Sequence, residues 1–122
     1  NLVDGSYFNS GQSCCGIERI YVDESIFANF VDAFKAQTEK YTLDNPLNDS
    51  TNLGPVVKLS AANNIRNQVA KAINEGAKNI IDGSKFKKDN SENCYVSPSA
   101  LINVNHKMEF MMEETFGQLL EL

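Results

Sequence analysis

The feature that most constrains the fold is a repeated change of hydrophobic period, in which short runs of branched and aromatic residues alternate with stretches whose apolar residues recur every three or four positions. Residues 17–22, with Ile17, Ile20, Tyr21 and Val22, predict a strand in a covered sheet. Asp23 offers a helix cap, after which Ile26, Phe27, Phe30, Val31 and Phe34 share one face and Glu24, Asn29, Asp32 and Lys35 the other. Asn45 and Pro46 follow the end of that helix. A second helix is predicted from a cap at Ser60, with Ile65, Val69, Ala72 and Ile73 inward and Gly76 as the left-handed terminator. Ile80 and Ile81 predict a short strand stopped by Asp82-Gly83, and residues 95–98 and 100–104 resume extended structure with Pro98 at an edge or bend. The order strand, helix, helix, strand, strand predicts an α/β domain with a largely parallel sheet.

The connecting segments are polar. Residues 44–58, which contain Leu53-Gly54-Pro55, read as a loop, and residues 84–93, with Lys85, Lys87 and Lys88, read as a solvated excursion. Met108, Met111 and Met112 read as core filling. A hydrophobic content of 42% is enough for one core in a chain of 122 residues. Eleven basic against sixteen acidic residues give a net charge of −5, and the basic ones are scattered, which argues against a nucleic-acid partner. No apolar run approaches the ~20 residues that span a bilayer, so no membrane partner is expected. The chain starts at Asn1 without Met and stops just after Leu119-Leu120, so both ends are expected to have been cut from something longer.

The cysteines carry the chemistry. Three of them, Cys14 and Cys15 adjacent and Cys94 distant, make a poor disulfide framework and read as free thiols in a reducing compartment. In Phe8-Asn9-Ser10-Gly11-Gln12-Ser13-Cys14-Cys15, a cysteine behind a glycine-containing turn sits where exposed backbone N–H groups can favour a thiolate and later hold an oxyanion. From local context alone, small buried hydrophobes come first as the reading of this pair.

Asn9-Ser10-Gly11-Gln12-Ser13-Cys14 followed by Arg19 and an apolar strand resembles the cysteine signature of the aldehyde dehydrogenase family. A second block, Glu113-Glu114-Thr115-Phe116-Gly117, resembles that family's Glu-Glu-x-Phe-Gly segment. Leu53-Gly54-Pro55, Glu75-Gly76-Ala77 and residues 95–99 match as well, so the resemblance runs through the chain. It implies a three-layer α/β sandwich, part of the family's catalytic domain across residues 1–122, with the dinucleotide-binding domain and a C-terminal assembly segment lying outside it. It implies Cys14 as nucleophile, with Cys15 a packing residue or bystander, and Glu114 and Phe116 as contacts of an NAD or NADP cofactor. The carboxylate of Glu114 suits two vicinal ribose hydroxyls. The implied reaction oxidises an aldehyde to an acid through a cysteine thiohemiacetal and thioester. The family's general base and second oxyanion donor would precede Asn1, so the 122-residue chain alone is expected to be inactive and to self-associate, whereas relatives are homo-oligomers. The expected compartment is intracellular, the cytoplasm first and the mitochondrion as the alternative. Gln118 and Glu121 depart from the family's prolines and put the backbone after Gly117 in question.

Other readings compete. A non-catalytic binding or assembly module would keep the fold without the chemistry. A cysteine hydrolase would need His106 oriented toward the thiol, although Asn105-His106-Lys107 reads as a solvated turn. No metal is expected, because adjacent cysteines lack the spacing that lets two thiolates converge on one zinc ion. Glu113 and Glu114, taken without the cysteine block, would read as a solvated helix end.

Overall fold

The computed structural model describes all 122 residues. Leu2–Tyr7 forms α1, closed at its start by a capping box in which Asn1 accepts the Asp4 N–H and the Asp4 carboxylate reaches back to the Asn1 amino group. A six-residue helix does not persist alone. This one is held by burial of Val3, Ser6 and Tyr7, and by the Tyr7 hydroxyl donating to the Ser99 carbonyl at 3.0 Å.

Asp23 caps a single 3-10 turn, Glu24–Ile26, accepting the Ser25 N–H at 2.9 Å, and α2 proper runs over Phe27–Thr38. Phe34 and Thr38 are buried with Phe30 and Val31 beside them, but Ile26 lies before the α-helix and remains 54% exposed. The second predicted helix is α3, Leu59–Asn74, which starts at Lys58 instead of a Ser60 cap. Ala62, Ile65 and Ala72 face inward, whereas Ile73 is 47% exposed. Gly76 has φ +109°, and Ala77 N–H returns to the Ala72 carbonyl at 2.9 Å, which gives the left-handed termination expected.

The sheet has three strands in the order β1 (Lys78–Asn79), β2 (Ser99–Ile102) and β3 (Leu119–Glu121). β2 and β3 are parallel, Ala100 opposite Leu120, and Arg19 adds a parallel bridge to Glu121. β1 is antiparallel to β2, so the sheet is mixed, with an antiparallel edge strand of the kind that parallel sheets commonly carry. Leu101 and Leu119 pack with Ala62, Ile65 and Ala72 of α3, while Ala100 and Leu120 pack with Val3, Tyr7 and Phe34. Alternate side chains of a strand point to opposite faces. The sheet therefore lies between α3 on one side and α1 with α2 on the other, the α/β three-layer arrangement.

Several local expectations shift. The strand expected at 17–22 is reduced to the Arg19 bridge, and the one at Ile80-Ile81 moves two residues back, leaving both isoleucines as buried core. Pro98 is fully buried and precedes the sheet instead of marking an edge, because it has no N–H to donate and pairing starts at Ser99, whose N–H donates to Gln118 at 2.8 Å. The 84–93 segment is pinned by buried Phe86 and by Asp89, which accepts from Arg66 and from Ser97 N–H. Met112 is 71% exposed and fills no core. No helix is long and apolar enough to cross a membrane.

Candidate active site

The cysteine segment begins with three successive residues of positive φ: Asn9 at 51°, Ser10 at 58° and Gly11 at 72°. Each non-glycine residue there costs about 1–2 kcal/mol. What offsets the cost is a platform built by residues 54–57. The Ser10 hydroxyl donates to the Gly54 carbonyl and accepts the Gly54 N–H, both at 3.0 Å. Gln12 accepts the Val57 N–H at 2.9 Å, and Asn9 Nδ2 donates to the Gln12 carbonyl at 3.0 Å. The Leu53-Gly54-Pro55 block thus holds the cysteine turn in place, with Leu53 itself fully buried.

Cys14 and Cys15 occupy the next turn, closed by Gly16 N–H donating to Ser13 O at 3.0 Å. Both are exposed free thiols with sulfurs 3.9 Å apart, so the reading of the pair as buried hydrophobes is overturned. The turn points its residues outward, away from either core layer. Cys15 N–H donates to the Ser13 hydroxyl at 3.2 Å, whereas the Cys14 N–H has no acceptor within the chain. A backbone donor beside an exposed thiol is the arrangement that can stabilise an oxyanion formed on that sulfur's adduct. Cys94, in contrast, packs against the α3 core.

The Glu113–Gly117 block meets this turn backbone to backbone. A Cβ added at Gly11 would lie 1.9 Å from the Gly117 carbonyl oxygen, so only glycine fits there, and one at Gly117 would lie 2.1 Å from Ile65 Cδ1 and force that side chain to shift. Within the block Thr115 is 5% exposed while Glu114 and Phe116 on either side are exposed, the ring of Phe116 by half. The Thr115 hydroxyl donates to Gln68 of α3 at 3.1 Å, and its N–H donates to Glu18 Oε1 at 3.0 Å. A free carboxylate and a half-open ring on one loop suit the vicinal hydroxyls and flat heterocycle of a dinucleotide. The cysteine block and the Glu-Glu block, 100 residues apart in the chain by their Cys14 and Glu114 positions, are therefore brought together.

Sequence reasoning missed Glu18 and gave Arg19, Gln118 and Glu121 no part in joining them. Arg19 Nη2 donates to the Met111 carbonyl at 2.6 Å, and its Nε lies 3.5 Å from Glu121 as an ion pair without an aligned hydrogen bond. Burial pushes the Glu121 carboxyl up to about 7 against the opposing pull of Arg19, with Glu18 adding to the rise. Burial also raises the Glu18 carboxyl, which the Thr115 N–H counteracts and the Glu114 charge reinforces. Gln118 is fully buried and donates to the Gly54 carbonyl at 3.3 Å, so the two departures from proline extend β3 and reinforce the platform. No local pattern announces Glu18 or Glu121, whose partners are far away in sequence.

His106 is exposed beside Tyr21, with ring centroids 6.3 Å apart, and lines a cavity of about 190 Å³ together with Arg19, Met111 and Glu121 but no cysteine. Concavities of about 390 and 480 Å³ include no residue of the cysteine turn or of the Glu-Glu loop, and one of about 260 Å³ reaches Phe8 and Asn9 but neither cysteine. No three Cys, His, Asp or Glu side chains converge as a metal site would require.

The aldehyde dehydrogenase family model matches residues 1–122. A 3-sulfolactaldehyde dehydrogenase of Priestia aryabhattai is 35% identical over 112 residues, covering 92% of this chain and 22% of that protein. The crystal structure of aldehyde dehydrogenase 21 from Physcomitrella patens, in complex with the reaction product succinate, superposes with a TM-score of 0.89 at 30% identity, covering 99% of this chain and 24% of that one. A glyceraldehyde-3-phosphate dehydrogenase of Methanocaldococcus jannaschii complexed with NADP superposes at 0.86 and 28% identity, covering 98% and 25%. The chain spans about a quarter of the length of the proteins it matches.

Proposed function

The chain belongs to the aldehyde dehydrogenase family, and from that premise we propose that residues 1–122 are part of a catalytic domain that oxidises an aldehyde to a carboxylic acid with NAD or NADP. Cys14 is the nucleophile. Its thiolate adds to the aldehyde carbonyl to give a thiohemiacetal, and the oxyanion that forms accepts from the Cys14 N–H. When bound, the nicotinamide supplies the acceptor for the hydride that leaves the carbon carried on Cys14 Sγ. Cys14 then carries a thioester, and water releases the acid and restores the thiol. Glu114 binds the hydroxyls of the nicotinamide ribose, and Phe116 packs near the ring.

The observation that carries this reading is the junction itself: an exposed thiol with a free backbone donor, on a turn wedged by Gly11 against the loop that presents Glu114 and Phe116. In the full-length protein, Cys14→Ala should abolish NAD(P)-dependent aldehyde oxidation while Cys15→Ala retains it. Turnover surviving in Cys14→Ala overturns the assignment.

The coverage of about a quarter supports a second statement, that the 122-residue chain alone turns over no aldehyde and acts at most as a binding module. Aldehyde oxidation by the purified chain at an ordinary enzyme rate would defeat it. Membership of the family favours self-association, with a homo-oligomer as the working form. Three free thiols fit a reducing intracellular compartment, the cytoplasm before the mitochondrion.

A further inference from the structure

We propose that Glu18 is a positioning residue for the cofactor, acting through the backbone of Thr115; the inference rests on the reading of Glu114 and Phe116 as cofactor contacts. Glu18 lies four residues after Cys14, on the segment that leaves the cysteine turn toward the Arg19 bridge. Its Oε1 accepts the Thr115 N–H at 3.0 Å, and its own carbonyl accepts the Glu121 N–H at 2.8 Å. One residue thus touches the Glu-Glu loop at its centre and β3 just beyond it.

The position of that bond decides what it can do. Thr115 is the one buried residue between exposed Glu114 and Phe116. Holding this inward residue by both its N–H and its side chain limits how far its two outward neighbours can swing. The Thr115 hydroxyl is held from α3 by Gln68, which limits in-and-out movement, whereas Glu18 holds the backbone from the cysteine side. Arg19, the next residue, grips the Met111 carbonyl at 2.6 Å on the N-terminal side of the same loop. The pair Glu18-Arg19 therefore ties the loop to the cysteine segment at two points, through a carboxylate acceptor and a guanidinium donor. Hydrogen bonds to charged groups are the stronger kind. Glu18 touches neither substrate nor cofactor in this arrangement. It aligns Glu114 and Phe116 with the turn that carries Cys14.

The test uses the full-length enzyme with Glu18→Ala, Glu18→Gln and Glu114→Ala. Glu18→Ala should raise the KM for NAD(P) on the order of ten-fold, the loss of one charge-assisted bond, with a smaller change in the aldehyde KM and in Cys14 alkylation by iodoacetamide without cofactor. Glu18→Gln keeps an acceptor oxygen for the Thr115 N–H and should recover most of the cofactor affinity. An unchanged cofactor KM in Glu18→Ala overturns the proposal, and so does an equal rise in the Gln and Ala variants. Glu114→Ala separates the two failures: a raised cofactor KM there beside a flat Glu18→Ala rejects positioning alone, while a flat Glu114→Ala rejects the reading of Glu114 itself.

Discussion

The cysteine turn and the Glu-Glu loop meet at Gly11 and Gly117, yet they are held in opposite ways. The turn is strained and densely bonded: two of its non-glycine residues have positive φ, the side chains of Ser10 and Gln12 tie it to the backbone platform at residues 54–57, and Asn9 bonds back to the Gln12 carbonyl. The loop has side-chain anchors at alternate points, through Thr115 and through the carbonyl of Met111, and its outward residues make no protein hydrogen bonds. A nucleophile gains from a fixed place, because attack depends on geometry to fractions of an ångström. Contacts to a cofactor that must arrive and leave gain from a loop held only on its inner side.

The two regions are most easily broken together. Gly11→Ala would place a methyl against the Gly117 carbonyl, at 1.9 Å, on a residue with φ +72°. Left-handed strain and overpacking combine to roughly 4 kcal/mol, so urea denaturation should show a large fall in midpoint and aldehyde oxidation should vanish. A Gly11→Ala enzyme of normal stability and activity would show that the loops do not touch as described.

The next effect falls on β3, just beyond the loop, where Glu121 meets Glu18 and Arg19. Burial raises the Glu121 carboxyl from 4.5 to about 7, so between those values the folded chain binds a proton that the unfolded chain has lost. Stability must then fall as pH rises from about 4.5 through about 7, and stay lower above it. The loss is on the order of 2 kcal/mol once residual solvent contact is allowed for. Urea midpoints measured from pH 5 to pH 8 should decline in the parent and flatten in Glu121→Gln, with any remaining slope assignable to Glu18, whose carboxyl is raised in the same direction. A Gln variant that declines as steeply as the parent would remove Glu121 from this account.

On the turn side, Ser10→Ala strips both bonds to Gly54 and leaves its N–H without an acceptor, while its carbonyl keeps only the Gln118 donor. The cost should be roughly 1–2 kcal/mol. Its distinguishing mark is kinetic: the rate of Cys14 alkylation should change with the shape of the turn, while the cofactor KM moves little.

How much of this could be read in advance follows from the range of the forces involved. The helix faces were legible because burial of Phe34, Ile65 and Ala72 repeats a local period. Gly76 was legible because termination is decided within one turn. Strand positions were not, since Lys78, Ser99 and Leu119 pair according to partners elsewhere, and the apolar run at 17–22 contributes one bridge only. α1 went unseen although Asn1 and Asp4 carry a capping pattern and Val3 and Tyr7 a helical spacing, because the segment is short. At the site, Cys14, Glu114 and Phe116 were named through resemblance, and local chemistry alone favoured burial of the cysteines. The roles of Ser10, Glu18 and Glu121 could not be assigned because each acts on a residue more than 40 positions away, as the separations of 44, 97 and 102 from Gly54, Thr115 and Arg19 make plain.

The smallest expected effect is the one that separates the two regions most cleanly. Thr115→Val preserves shape and the N–H that donates to Glu18, and removes only the hydroxyl that donates to Gln68 at 3.1 Å. Gln68 is half-buried and can turn to water, so the stability cost should stay near about 1 kcal/mol. With its inner anchor loosened, the loop should present Glu114 and Phe116 less steadily, raising the cofactor KM by a few-fold, while Cys14 alkylation proceeds at the parental rate because every bond of the turn is intact. Ser10→Ala should do the reverse. If the two variants instead shift thiol reactivity and cofactor KM in the same proportion, the turn and the loop move as one body, and the contrast between a fixed nucleophile and a yielding cofactor contact does not hold.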